Sequence, residues 1–205
     1  GFAVAPGRWR LNPSYLVPLQ LRWFAGRLGA PWQALHDSAL KVLLGCSPRG
    51  LAPDWTLYDG TTRQFLHEQP AGSYDAIRVY LWLGLDAGAA ADARLARLQA
   101  HFAPMAAATD TRGAPPERVD VLTGPLPGDG PPGFSAALLP WLQAQGRTAA
   151  LSRQQQRLQQ SPAAPDAYYD QVLRLFGEGA LEGRFAFDAD GGLQAAWHAC
   201  RPQTP

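Results

Sequence analysis

The segment SYDAIRVYLWLGL, residues 73–85, gives the clearest indication of the fold class of this chain. Its second half is almost entirely apolar, and its polar residues cluster near the start, at Ser73, Asp75 and Arg78. Large apolar side chains recur at helical spacing at positions Ile77, Tyr80, Leu81, Leu83 and Leu85. The pattern predicts a helix that begins near Ser73.

Further helical patterns lie on both sides of this segment. The first of them begins with Asn12, a good capping residue, followed by Pro13, which suits the first helical position. Most of the patterns end at or near glycine or proline. The sequence therefore predicts a mainly α-helical array in which loops join the helices in pairs, over residues 12–28, 31–44, 73–85, 91–107, 134–145, 147–160 and 165–181.

Short β-hairpins are predicted in the loops between these helices. Residues 55–58 and 65–67 flank Asp59-Gly60, a strong turn signal. The long loop 110–133 is rich in proline and glycine and contains a strand-like stretch at 118–122, and another lies at 184–187. Long loops that decorate a helical array usually carry a functional site.

Composition excludes several classes of function. The chain has 205 residues, 46% of them hydrophobic, and a formal net charge of +1, so no global field recruits nucleic acid or a membrane surface. No apolar run approaches the roughly 20 residues that a membrane span requires. Seven tryptophans are many for this length. Their faces could stack on sugar rings or could belong to the core.

Asp75 and Arg78 are the first candidates for chemistry. The predicted helix places Asp75 in its first turn, where the helix dipole favours a negative charge. Arg78 follows three residues later on the same face and can pair with the carboxylate. An aspartate held in its ionised form suits a general base or an electrostatic anchor. The alternative is a helix cap with an ion pair.

The sequence predicts no metal site and no cofactor. The histidines lie in separate elements and form no paired motif, at positions His36, His67, His101 and His198. The glycine-rich segments 123–133 and 177–183 lack the preceding strand and following Lys/Ser of a phosphate-binding loop, and we interpret them as loops. Cys46 and Cys200 could form one disulfide or remain two thiols.

Six motifs occur along the chain in an order that resembles glycoside hydrolase family 8. They are NPSYL (12–16), PDW (53–55), SYDAIRVYLWLGL (73–85), PPERVDVLTG (115–124), GFSAALLP (133–140) and DAYYDQVLRLFGEG (166–179). The resemblance covers essentially all 205 residues. It implies part of an (α/α)6 barrel with a long cleft across one end.

The resemblance also implies a reaction and a site. The family hydrolyses β-1,4-glucan with inversion, which requires a general acid and a general base on opposite sides of the bond. By this resemblance Asp75 is the base, and Tyr74 and Arg78 orient it. Tyr15 would lie in the cleft near the cleaved sugar, and Tyr168 and Tyr169 in the sugar-stacking region. Expected partners are glucan chains and the cellulose synthase complex, in the periplasm.

One part of the family pattern is absent. The general acid of the family is a glutamate in a Ser-Glu-Gly-Gln-like segment near the start of the domain, and no glutamate here lies in such a segment; the four are Glu68, Glu117, Glu178 and Glu182. We therefore expect residues 1–205 to be the C-terminal portion of one barrel domain, with the N-terminal half as a further partner. The alternatives are a non-catalytic glucan-binding or interaction fragment, or another (α/α)6 glycosidase that acts on a related β-glycan.

Overall fold

The computed structural model describes residues 1–199, with side chains through Trp197, and confirms a mainly helical chain. Eight α-helices lie in the described part: α1 (Pro18–Leu28), α2 (Ala30–Gly45), α3 (Ile77–Leu85), α4 (Ala93–His101), α5 (Ala103–Arg112), α6 (Pro132–Ala144), α7 (Thr148–Gln160) and α8 (Tyr168–Leu181). Among the described residues, no helix is both long and apolar enough to cross a membrane. Cys200 lies outside the described residues, so its pairing with Cys46 stays untested.

Two of the predicted helices are each divided in the structure. The predicted helix 12–28 begins as a short 3-10 turn, Pro13–Tyr15, and α1 starts only at Pro18. Val17 is extended between them because the ring of a following proline disfavours the helical conformation. The predicted helix 91–107 divides into α4 and α5, where Pro104 lacks the N–H that a continuous helix would use.

Nine short strands form three small antiparallel sheets. The first contains β1 (Phe2–Ala5), β2 (Arg8–Leu11), β3 (Thr56–Asp59) and β4 (Gln64–Leu66), in that order. The second contains β5 (Ala71–Gly72), β6 (Val119–Asp120) and β7 (Gly124–Pro125), and β8 (Phe185–Phe187) pairs with β9 (Leu193–Ala195). The predicted hairpin at Asp59-Gly60 is confirmed, whereas β1 and β2 were not predicted.

Helix α3 lies at the centre of the core. Its Tyr80 is fully buried between Phe102 and Trp141, with ring centroids 5.7 and 6.2 Å apart. Gly84 lets α3 approach α6 closely, because a Cβ there would lie only 2.6 Å from the carbonyl carbon of Pro140. The helix that follows the Asp75 segment is therefore held rigidly by its neighbours.

Candidate active site

Asp75 lies in a hydrogen-bonded turn immediately before α3. The N–H of Ile77 donates to the carbonyl of Ser73 at 3.1 Å, and the N–H of Arg78 donates to the carbonyl of Asp75 at 3.2 Å. Helix α3 begins at Ile77, so the prediction that Asp75 lies within the first helical turn is wrong by two residues. A side chain from another segment binds the N–H groups of this turn.

That side chain is Asp54. Its Oδ1 accepts three backbone N–H groups, from Ser73 at 2.8 Å, Asp75 at 3.0 Å and Ala76 at 2.8 Å. Sequence reasoning assigned no chemistry to Asp54, although the residue belongs to the PDW motif. No local signal could have revealed its role, because its hydrogen-bond partners lie 19 to 22 residues further along the chain.

Arg78 binds the carboxylate of Asp75. Its Nη2 donates to Oδ1 of Asp75 and to the Ser14 hydroxyl at 2.9 Å, and its Nη1 donates to the carbonyl of Tyr74 at 3.2 Å. The predicted ion pair is thus confirmed. The side chains of Arg78 and Asp75 are only 21% and 28% exposed, so water screens their attraction less than it would on an open surface.

The NPSY segment supports this arginine. Asn12 accepts two hydrogen bonds at its Oδ1, from the N–H of Ser14 at 2.9 Å and from the Ser14 hydroxyl at 2.7 Å. The hydroxyl proton is then directed at Asn12, which leaves the oxygen lone pairs free to accept from Arg78. Trp82 of α3 donates its indole N–H to the carbonyl of Ser14 at 3.0 Å. Asn12 and Ser14 are both buried.

Tyr15 lies beside the same arginine. Its ring is 62% exposed, and the guanidinium carbon of Arg78 lies 5.8 Å from the ring centroid. Trp55 packs against it in a T-shaped arrangement, with centroids 6.4 Å apart and an interplanar angle of 86°. An exposed aromatic ring beside the arginine that binds Asp75 can present its face to a sugar ring.

Tyr169 joins the site from α8. Its hydroxyl donates to the backbone carbonyl of Tyr74, and the two rings lie 5.8 Å apart. Burial raises the pKa of Tyr169 to about 12. Burial, followed by the hydrogen bond to Glu117, also raises the pKa of Tyr74. Both phenols therefore stay protonated at neutral pH and act as neutral hydrogen-bond donors.

Most of the predicted residues thus come together. We call Asp75, Arg78, Tyr15, Tyr74 and Tyr169 the Asp75 cluster. The sixth predicted residue, Tyr168, is 78% exposed and lies outside this cluster, because successive helix residues project about 100° apart.

Glu117 is a further carboxylate in contact with the cluster. The Tyr74 hydroxyl donates to its Oε1 at 3.1 Å, and the Ser73 hydroxyl donates to its backbone carbonyl at 2.8 Å. These contacts fix the loop between α5 and α6 against the turn that carries Asp75. Among the side chains of residues 1–197, no three His, Cys, Asp or Glu are grouped so that they could hold a metal ion.

An oriented carboxylate surrounded by tyrosines on a helical scaffold is suited to acid–base chemistry on a carbohydrate. Residues 1–183 match the sequence model of Glycosyl hydrolases family 8, and the chain belongs to this family. The resemblance inferred from the ordered motifs is therefore confirmed.

Similar proteins support the same assignment. The chain is 47% identical to an endoglucanase of Salmonella typhi and 43% identical to one of Escherichia coli K12, each over 199 residues that make up 96% of this chain and 52% of the relative. It resembles the crystal structure of an endo-1,4-D-glucanase from Vibrio fischeri ES114 with a TM-score of 0.78 and 31% identity, covering 96% of this chain and 58% of that one. The chain spans about half the length of the curated relatives it matches.

Proposed function

We propose that this chain provides the general-base side of an inverting endo-β-1,4-glucanase, with Asp75 as the base. The observation that carries the proposal is the double fixation of Asp75, whose main chain is bound by Asp54 and whose carboxylate is bound by Arg78. The names of the endoglucanase relatives and of the Vibrio fischeri structure support a β-1,4-glucan as substrate.

The geometry suits removal of a proton from water. Arg78 occupies Oδ1 of Asp75, and the described part of the chain contributes no hydrogen-bond donor to Oδ2. In the proposed reaction Oδ2 takes a proton from a water molecule, whose oxygen attacks the anomeric carbon as the glycosidic C–O bond breaks. The leaving oxygen takes a proton from a general acid. Inversion requires that acid to lie roughly 6.5–9.5 Å from the base.

We propose that the acid comes from a segment outside these 205 residues. Glu117, the glutamate in contact with the cluster, already accepts a hydrogen bond from Tyr74. The relatives are about twice as long as the matched region, which leaves room for such a segment. Below, the complete enzyme means this chain together with that segment. The ordered motifs further support a periplasmic enzyme of bacterial cellulose synthesis.

The decisive variant is Asp75→Asn in the complete enzyme. Loss of a general base typically lowers kcat by about 10²–10⁴-fold. The rate at which reducing ends are released from a soluble β-1,4-glucan should therefore fall by at least about 10²-fold. The affinity for a cello-oligosaccharide, measured by calorimetry, should stay within about threefold of wild type, because asparagine keeps the shape of the side chain. Asp92→Asn, which alters another aspartate that pairs with an arginine, is the matched control and should retain full activity.

Two results would contradict this proposal. Wild-type turnover by Asp75→Asn would remove Asp75 from the reaction. Turnover by the 205-residue chain alone would refute an external acid. Binding of the glucan by the complete enzyme, without any turnover, would instead support a non-catalytic binding role.

A further inference from the structure

One oxygen of Asp54 collects three backbone N–H groups from the turn that carries Asp75. The three donors are Ser73, Asp75 and Ala76, at 2.8, 3.0 and 2.8 Å. One of them is the amide of the base itself. Three N–H groups of the turn therefore depend on a carboxylate from a distant segment for their hydrogen bonds.

Asp54 is itself held in place by the core. Its N–H donates to the carbonyl of Ala71 in β5 at 2.9 Å. Two residues earlier, the N–H of Ala52 donates to the hydroxyl of the fully buried Tyr80 at 2.9 Å. The backbones of the two segments also touch, because a Cβ on Gly72 would lie 3.0 Å from the carbonyl carbon of Ala52.

We propose that Asp54 is a positioning residue for the base, which rests on the role of Asp75 proposed above. Arg78 orients the Asp75 carboxylate from one side, and Asp54 fixes the main chain from which that carboxylate projects. A displacement of a catalytic group by about 1 Å can cost roughly 10²-fold in rate. The effect is expected on kcat, because all three hydrogen bonds of Asp54 act on the main chain that carries the base.

The alternative is that Asp54 only stabilises a turn. Asp188 provides a matched control for that role, because its Oδ1 accepts the N–H groups of Asp190 at 3.0 Å and Gly192 at 2.7 Å in the turn between β8 and β9. Asp188→Ala also removes an acceptor of several backbone N–H groups. It lies in a hairpin that contributes no residue to the Asp75 cluster.

The test compares four variants of the complete enzyme on a soluble β-1,4-glucan, each well below its unfolding temperature. Asp54→Ala should lower kcat by about 100-fold and change KM by less than about threefold. Asp54→Asn keeps an Oδ1 acceptor and should recover kcat to within about tenfold of wild type. Asp54→Glu keeps the charge but displaces it by one methylene, so kcat should fall while KM stays close to the wild-type value. Asp188→Ala should match wild type.

Amide hydrogen exchange provides a readout that does not depend on turnover. Exchange at Ser73, Asp75 and Ala76 should accelerate in Asp54→Ala and remain slow in Asp54→Asn, because only the latter retains an acceptor. Should Asp54→Ala fail to fold, Asp54→Asn and Asp54→Glu still distinguish the two roles. The positioning role predicts a smaller loss of kcat in Asp54→Asn than in Asp54→Glu, and a purely structural role predicts no loss of kcat in either.

The positioning role is overturned if Asp54→Ala keeps kcat within about threefold of wild type, or if Asp188→Ala loses as much. Equal losses in Asp54→Asn and Asp54→Ala would also overturn it, since the retained acceptor would then be irrelevant. An active Asp54→Ala beside an inactive Asp75→Asn refutes only this inference. A fully active Asp75→Asn refutes the proposed function itself, and the role of Asp54 with it.

Discussion

Replacement of Gly84 by alanine tests how closely the helix behind the site is packed. A Cβ at Gly84 would lie 2.6 Å from the carbonyl carbon of Pro140 and 2.7 Å from Cα of Trp141. The backbone N of Trp141 would lie closer still, and ordinary contact begins near 3.4 Å, so α6 would have to withdraw from α3 by about 1 Å. The obstacles are backbone atoms of a buried helix, which cannot rotate away as a side chain could.

The expected magnitude follows from two opposing effects. Overpacking a well-packed core costs about 1–3 kcal/mol, and rigid backbone neighbours place Gly84→Ala at the upper end. Alanine in a helix interior returns about 1 kcal/mol relative to glycine. We therefore expect Gly84→Ala to lower the free energy of unfolding by about 2 kcal/mol.

Gly26 is the matched control within the same chain. It lies in the interior of α1, is exposed, and a Cβ there would meet no atom within 4 Å. Only the helix propensity then changes, so Gly26→Ala should raise the free energy of unfolding by about 0.5–1 kcal/mol. The same substitution thus has opposite signs at the two positions.

Urea unfolding followed by tryptophan fluorescence measures both effects on the 205-residue chain, as a shift of the midpoint at constant slope. If Gly84→Ala is as stable as wild type while Gly26→Ala is stabilised as expected, α3 and α6 do not approach as closely as described. The rigid support inferred for the Asp75 turn would then be wrong.

Two further predictions concern the cluster. Arg78→Lys keeps the charge, but one ammonium cannot replace a guanidinium that bridges Asp75, Ser14 and the Tyr74 carbonyl. We therefore expect kcat to fall about tenfold at nearly constant KM, which corresponds to an activation free energy higher by about 1.4 kcal/mol. An unchanged kcat would contradict this geometry. The folded-state pKa of Tyr169 is raised from 10.0 to about 12, so its contribution to stability is complete below pH 10 and is lost as the pH rises through 12. The urea midpoints of wild type and Tyr169→Phe should therefore converge between pH 10 and pH 12. A difference that stays constant over this range would refute the raised pKa of Tyr169.

Local patterns predicted the parts of the fold that local physics decides. The apolar spacing of residues 73–85 identified α3 to within a few residues, and Asp59-Gly60 identified the hairpin between β3 and β4. The ion pair between Asp75 and Arg78 could also be predicted from the sequence, because residues three apart near a helix start face the same side.

Long-range pairing decides the parts that the sequence did not reveal. Strands β1 and β2 are four residues each, and β2 gains its second partner only when Leu11 meets Thr56 of β3. A segment this short has no stability of its own in water. Its structure depends on a neighbour that only the tertiary fold brings close.

Tyr168 and Tyr169 show that sequence patterns also fail to predict which of two neighbouring residues faces the site. The sequence places both on a helix, and composition cannot tell which one faces the site. The orientation of α8 decides it, because the Tyr169 hydroxyl reaches the Tyr74 carbonyl whereas Tyr168 remains 78% exposed. Helix orientation follows from packing against α6, which no local pattern encodes.

Helix α3 holds together three of the segments that form the site. Trp82 of α3 binds the carbonyl of Ser14, Tyr80 of α3 binds the N–H of Ala52, and Arg78 of α3 binds Asp75. A carboxylate that must accept a proton in one direction needs both its main chain and its side chain fixed. Because a single buried helix supplies contacts to all three segments, the core sets the direction of the Asp75 carboxylate, which suits the general-base role proposed for it.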